Sequence, residues 1–197
     1  KKTERAGGFV ARQNQTVGMI GIGQLGLPVA VNLMQAGFPV VGFRRHDREE
    51  FVRQGGKALE SPAEVARAAT VVLLCLPNES AALDVLEGRD GILPALTADH
   101  TVVEMGTYRK AFKLEQAAKL TATGAKVLEA EISGSPPMVV SRKAAIYAGG
   151  DPQVFQACLP VLEAITPSVF HLGEYGSAVA MKLIANYLIL RGLIPGR

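Results

Sequence analysis

The 197-residue sequence has little cysteine, no long apolar run and no surplus of charge on its body. Its two cysteines, Cys75 and Cys158, lie in an apolar strand-like stretch and an apolar helical stretch. They read as small buried residues in a reducing compartment, and two cysteines so far apart make neither a disulfide or catalytic pair nor a metal set. No bound metal is expected. The longest apolar runs, Val71–Leu76 and the surroundings of Leu188–Leu190, fall far short of a membrane span, and no apolar segment near the start resembles a secretory signal. The expectation is a cytoplasmic protein with no membrane partner. Lys and Arg number 21 against 18 Asp and Glu, and Lys1, Lys2, Arg5 and Arg12 against Glu4 account for the whole net charge of +3. The body is therefore neutral and lacks the basic face that nucleic acid requires. Residues 1–15 are expected to form a disordered tail. Apolar content of 48% and charged content of 20% suit one globular domain, or one with an appendage.

What the chain does contain is concentrated in Val17–Arg45. Thr16 to Ile20 is a β-branched, apolar run and reads as a buried strand. It ends in Gly21-Ile22-Gly23-Gln24-Leu25-Gly26, a G-x-G-x-x-G, followed by a helical pattern to Gln35, a stop at Gly37 and a second strand from Phe38 to Phe43. Strand, glycine turn, helix and second strand together form the dinucleotide-binding context. Gly21 serves the tight turn, Gly23 the approach of a pyrophosphate and Gly26 the close packing of helix on strand. The phosphates then meet the free N–H groups and positive dipole end of the helix. After the second strand comes Phe43-Arg44-Arg45-His46, with no carboxylate before Asp47. A carboxylate there would hold a ribose 2′-hydroxyl; two guanidiniums suit a 2′-phosphate, so NADP (as NADPH) is expected over NAD.

The rest alternates strand and helix. Helices are expected over Asp47–Gln54, Pro62–Ala69 (with Ser61 and Glu64 as a capping box), Ser80–Leu86, Arg109–Thr121 and Pro152–Ala164 (capped by Asp151). In the Arg109–Thr121 helix, Phe112, Leu114, Ala117, Ala118 and Leu120 are near the spacing of a core face. Strands are expected at Lys57–Leu59, Thr70–Leu76, Thr101–Met105, Lys126–Glu131, Ala144–Ala148 and Ser168–Leu172. The order predicts an α/β, Rossmann-type, doubly wound and mainly parallel sheet over residues 16–173. Ligands of such sheets lie beyond the carboxyl ends of the strands, so Gly21–Leu25, Arg44, Arg45, Leu76-Pro77-Asn78, Gly106-Thr107 and Glu131–Ser135 are expected to line one crevice. For Pro77-Asn78 and Gly106-Thr107 alone, ordinary turn chemistry explains the residues equally. From 174 to 197 the chain reads as one further helix, apolar nearly all round but for Lys182 and Asn186, which share a face at a spacing of four. A lysine in so apolar a helix either serves a task or snorkels to the surface.

These residues resemble the β-hydroxyacid dehydrogenase family, which includes 3-hydroxyisobutyrate dehydrogenase and tartronate semialdehyde reductase and is related to 6-phosphogluconate dehydrogenase. The resemblance covers about Thr16 to Leu190. GIGQLGLPVAVN (Gly21–Asn32) is similar to the family's cofactor fingerprint, in which Pro28 and Asn32 recur. Arg45 matches its NADP-associated arginine, Leu76-Pro77-Asn78 and Thr107 its nicotinamide-side loops, and Glu129–Ser135 its substrate loop, usually D-A-P-V-S-G-G. The resemblance implies that Lys182 is the catalytic lysine and that Ser133, Gly134, Ser135 and Asn186 hold the acid group of the substrate. The implied reaction is hydride transfer between NADPH and the carbonyl of a small semialdehyde or keto acid, or the reverse with a β-hydroxyacid. Lys182 would stabilise the developing oxyanion and deliver its proton.

The sequence departs from the family in several places. Glu131 replaces a proline, Ser135-Pro136-Pro137 replaces a glycine-rich stretch, and Arg142-Lys143 brings charge that would face an acidic substrate or simply water. The family continues into an all-helical domain that closes the site and forms dimers. Here a truncated chain is expected, dimerising through that missing domain or the exposed final helix. Two alternatives follow: a non-catalytic NADP-binding or interaction module, and an imine-reductase-like enzyme, a class that usually lacks this lysine.

Overall fold

The computed structural model describes residues 15–193. The tail expected over 1–15 therefore lies outside the described residues, apart from Gln15. The strands, in chain order, are β1 (Val17–Ile20), β2 (Val40–Phe43), β3 (Lys57–Ala58), β4 (Val71–Leu74), β5 (Thr101–Glu104), β6 (Lys126–Ser133), β7 (Ala145–Gly150) and β8 (Ser168–His171). They form one sheet in the order β3-β2-β1-β4-β5-β6-β7-β8. Strands β3 to β6 across the sheet pair in parallel, β7 runs antiparallel to β6, with Leu128 opposite Gly150 and Ser133 opposite Ala145, and β8 is parallel to β7. The helices are α1 (Gly26–Gln35), α2 (Glu49–Arg53), α3 (Pro62–Ala68), α4 (Glu79–Glu87), α5 (Lys110–Ala122), α6 (Pro136–Val140), α7 (Pro152–Ile165) and α8 (Ser177–Leu193). This is the doubly wound, mainly parallel α/β architecture that the sequence pattern predicts, with a reversed pair of strands at one edge.

The period of two along each strand sorts its side chains into two layers. Val17, Met19, Leu73, Val103, Leu128 and Ile146 pack on one face with Val29 and Leu33 of α1 and with Phe155 and Leu162 of α7. Ile20, Val72, Leu74 and Val102 pack on the other with Val65 of α3, Val85 of α4 and Leu120 of α5. The caps read from the sequence are present: the Ser61 Oγ accepts from the Glu64 N–H at 3.2 Å, and the Asp151 Oδ1 accepts from Gln153 and Val154 at 2.7 and 3.1 Å.

Three local expectations change. In α5 the buried positions are Phe112, Lys113, Gln116, Ala117 and Leu120, while Leu114 is 44% exposed. The helix is turned so that a lysine faces the sheet, because the sheet offers carboxylates there. Ser135-Pro136-Pro137 does not form an open loop but starts α6, with Pro at its first positions, where a missing N–H costs nothing. Asn32, a recurrent position of the resembled fingerprint, has a structural role: its Nδ2 donates to the carbonyls of Val139 (2.7 Å) and Ile165 (3.0 Å). One buried amide thus ties α1 to α6 and to the end of α7. Helix α8 buries Ala178 and Val179 and exposes Leu183, Ile184 and the run from Tyr187 to Leu190. Among the described residues, no helix is long and apolar enough to cross a membrane.

Asn32→Ala removes both bonds; the Val139 carbonyl still accepts from the Arg142 N–H at 2.9 Å, while the Ile165 carbonyl loses the Asn32 donor. The expected loss of stability is about 1–3 kcal/mol, read from denaturant unfolding, from the cost of one unsatisfied buried group; a loss below about 0.5 kcal/mol would contradict this role.

Candidate active site

The carboxyl ends of β1, β2, β4, β5 and β6 open onto one cleft of about 760 Å³. Its floor is the Gly21–Gly26 turn. Gly21 takes φ +96°, and a Cβ there would stand 2.2 Å from the Cys75 carbonyl oxygen, so only glycine fits. A Cβ at Gly26 would stand 1.9 Å from the Gly21 carbonyl oxygen, which brings α1 hard against the turn. A Cβ at Gly23 would meet nothing within 4 Å, so the backbone there faces open space. Helix α1 also has Leu25 at its N-cap, with no side-chain cap and no acidic residue in its first turn, whereas α3, α4 and α7 are each capped by a side chain. An uncapped N-terminus beside an open glycine is a ready anion site, and it fits the pyrophosphate of a dinucleotide.

Arg44 and Arg45 line the outer end of the cleft. Arg45 reaches Asp84 of α4 at 2.7 Å, and Arg44 lies 3.6 Å from Asp47. Both pairs are solvent-exposed and so worth at most about 1 kcal/mol, which leaves the guanidiniums open to a better anion. Leu76 and Pro77 line the cleft, but Asn78 does not: its Oδ1 accepts from the Ala81 N–H at 2.8 Å and caps α4. Turn chemistry therefore accounts for Asn78. Cys75 is only half-buried and also lines the cleft, contrary to the fully buried position expected. Burial pushes its thiol up to about 12, so it stays protonated.

On the opposite wall are Met105, Gly106, Thr107, Ile132, Gly134 and Lys182. Lys182 is half-buried on α8, and desolvation holds its amine below the ordinary lysine range, with the charge of Glu131 opposing that fall. The fold thus brings the glycine turn, both arginines, Leu76, Pro77, Thr107, Gly134 and Lys182 to one cleft. Ser133, Ser135 and Asn186 are not part of its lining: Ser133 ends β6, Ser135 is exposed at the start of α6, and Asn186 is one turn beyond Lys182. Arg142 points elsewhere. Its Nη2 donates to the Glu163 carbonyl at 2.7 Å, near the end of α7, where a helix presents its negative pole.

Behind this wall is a cluster that helical periodicity alone did not reveal. Glu104 of β5 and Glu129 and Glu131 of β6 all face α5, and the buried Lys113 ammonium sits among them. It contacts Glu131 most closely, lies 2.9 Å from Glu104 and 3.6 Å from Glu129, and donates to the Gly106 carbonyl at 2.9 Å. Burial pulls Lys113 down, but Glu104 and Glu131 outweigh it and hold the amine above its ordinary range. Glu129 Oε1 accepts from the Gly176 and Ala178 N–H groups at 2.5 and 2.7 Å, which anchors the start of α8. Glu131 Oε2 accepts from the Thr107 hydroxyl at 2.6 Å. The only hint in the sequence was the run of alternate glutamates in a strand otherwise built for a core.

Burial raises the Glu104 carboxyl from the usual 4.5 to about 7, against the pull of Lys113. The folded state then binds this proton more tightly than the unfolded state does. The stability that the protonated group contributes is complete below about 4.5 and is lost as pH rises through about 7. Glu104→Gln should flatten this part of the stability–pH curve, on the order of 3 kcal/mol between pH 4.5 and 7. Denaturant unfolding across that range checks it, and an unaltered slope would contradict it.

The family described as the NAD binding domain of 6-phosphogluconate dehydrogenase matches residues 16–173. The chain is 30% identical over 175 residues to 2-(hydroxymethyl)glutarate dehydrogenase of Eubacterium barkeri, covering 88% of this chain and 58% of that protein. It is 29% identical over 175 residues to glyoxylate/succinic semialdehyde reductase 1 of Arabidopsis thaliana, covering 88% and 61%. Among solved structures, an imine reductase variant from Myxococcus stipitatus in complex with NAD+ superposes with a TM-score of 0.85 at 18% identity, over 91% of this chain and 62% of that one, a likeness of fold alone. The chain thus spans about three fifths of the length of these relatives. The glycine turn, the open helix N-terminus and this match over residues 16–173 lead to one conclusion: the chain belongs to the 6-phosphogluconate dehydrogenase NAD-binding family, alongside the β-hydroxyacid dehydrogenases.

Proposed function

We propose that the protein is an NADP-dependent reductase of small carbonyl acids, acting through Lys182. The observation that carries this reading is the meeting of an uncapped helix N-terminus and a half-buried amine in one cleft. The bound dinucleotide supplies the hydride; this chain's residues do the rest. Gly23, Gln24 and Leu25 present N–H groups to the pyrophosphate. Arg44 and Arg45 present guanidiniums where no carboxylate competes before Asp47, which favours a 2′-phosphate. A doubly charged phosphate makes charge-assisted bonds stronger than the exposed Asp84 pairing.

Lys182 orients the carbonyl oxygen, opposes the charge it gains and gives it a proton. Partial desolvation makes that ammonium a readier acid than a free lysine. Gly134 at the cleft wall, with Ser133, Ser135 and Asn186 close by in the chain, would hold the carboxylate of the substrate, a positioning role. The relatives' names, a semialdehyde and glyoxylate reductase among them, support a short aldehyde or keto acid. The two free thiols fit the cytoplasm, and the exposed apolar face of α8 fits a dimer.

A second reading, a dinucleotide-binding module without turnover, is favoured by the substrate loop, whose Pro136 and Pro137 lack N–H groups and which folds into α6. NADPH oxidation with glyoxylate, succinate semialdehyde or tartronate semialdehyde separates the two. Lys182→Ala should lower turnover by about 10²- to 10⁴-fold with NADPH affinity retained; undiminished turnover would refute the role. Arg45→Ala should weaken NADPH by about tenfold or more and NADH hardly at all, from the worth of a charge-assisted bond. Equal effects on the two dinucleotides in a fluorescence titration would refute the 2′-phosphate reading.

A further inference from the structure

We propose that Glu131 is a positioning residue for Lys182, its buried carboxylate serving as the counter-ion of the Lys182 ammonium across the cleft wall. The inference rests on the reading of Lys182 as the proton donor and extends it to the residue that controls the donor.

Glu131 lies on β6 with no exposed surface, and its neighbours Ile132 and Gly134 share the cleft wall with Lys182. Helix α8, which bears Lys182, packs on β6 and β7. Each oxygen of the Glu131 carboxylate is held: Oε1 by the buried Lys113 ammonium and Oε2 by the Thr107 hydroxyl at 2.6 Å. A buried carboxylate so fixed cannot turn away, and the position of its charge is set before any ligand enters. The same bond uses the one proton of Thr107. What Thr107, a lining residue, presents to the cleft is therefore a pair of acceptor sites, suited to an N–H or O–H of the ligand.

The ionisable groups around this charge are few. From α5 comes Lys113; from β5, Glu104; from β6 itself, Glu129; from the end of β4, the Cys75 thiol, which stays protonated; from the loop before α8, the half-buried Tyr175, whose phenol desolvation keeps protonated. From the loop before α5 Tyr108 reaches towards Lys113, and its Oη donates to the Leu76 carbonyl at 3.0 Å. Lys113 is thus shared among three carboxylates, so negative charge is left over on this side of the wall. Thr107, which bonds Glu131, shares the cleft wall with Lys182, and the negative charge of Glu131 opposes the desolvation of that amine. The arrangement keeps the half-buried Lys182 charged, the state a proton donor needs for carbonyl reduction.

The test reads Lys182 directly. Lysines carrying ¹³C-methyl groups are titrated by NMR in the cofactor-free protein, with the Lys182 signal assigned from Lys182→Arg. In Glu131→Gln the midpoint of Lys182 should fall by about one pH unit, a tenfold loss of protonated amine at a fixed pH, as expected for removal of a nearby opposite charge. The basic limb of kcat/KM for reduction should fall with it. An unmoved midpoint in folded Glu131→Gln overturns the proposal. Should that variant not fold, the unsubstituted protein alone decides. The unsubstituted protein supplies a further check: its Lys182 signal must carry a second inflection where the Glu131 carboxyl titrates, and a single smooth step overturns the proposal. The two readings fail separately. A fall in midpoint with no turnover on any carbonyl acid rejects the reductase and keeps the ion pair; Lys182-dependent turnover with an unmoved midpoint rejects the ion pair alone.

Discussion

The second half of the fold depends on one buried cation. Lys113 sits with no exposed surface among Glu104, Glu129 and Glu131, on a sheet face that in β1 and β4 is filled by Ile20, Val72 and Leu74. Such a cluster is not a cheap way to gain stability, since desolvation of each charge offsets most of the attraction. What it provides is position. It joins β5, β6 and α5, and through Glu129 it fixes the first N–H groups of α8. The placement of Lys182 at the cleft follows from that anchor. Loss of one partner would leave a charge buried and unmatched, which costs about 3–5 kcal/mol in comparable sites.

The first half depends on close approach instead of charge. The carbonyl of Gly21 packs against Gly26 with no room for a side chain, and this brings an uncapped helix end to the mouth of the cleft. The two halves meet at the carboxyl ends of parallel strands, where an anion site and an amine face a common volume. The chemistry proposed for the cleft needs both: one to hold the dinucleotide, the other to handle the proton.

Much of this was legible in the sequence. The glycine turn, the alternation of apolar strands and the caps at Ser61 and Asp151 are local patterns, each decided by residues within a few positions of one another. The cleft residues that lie at strand ends could be named because topology alone brings them together. The cluster could not be foreseen in the same way. Spacing placed Leu114 on the buried face of α5, but the glutamates that draw Lys113 inward lie on β5 and β6, and only the paired sheet brings them side by side. Asn78 and Arg142 misled for a related reason: a helix end nearby satisfied each of them, so neither reached the cleft.

The claim most directly open to measurement is that one dinucleotide spans both halves. Backbone amide shifts followed by NMR during NADPH titration decide it. Gly23, Gln24 and Leu25 at the helix end, and Thr107 and Lys182 at the opposite wall, are expected to shift together with a single dissociation constant. Shifts confined to one end, or none at either, would contradict it.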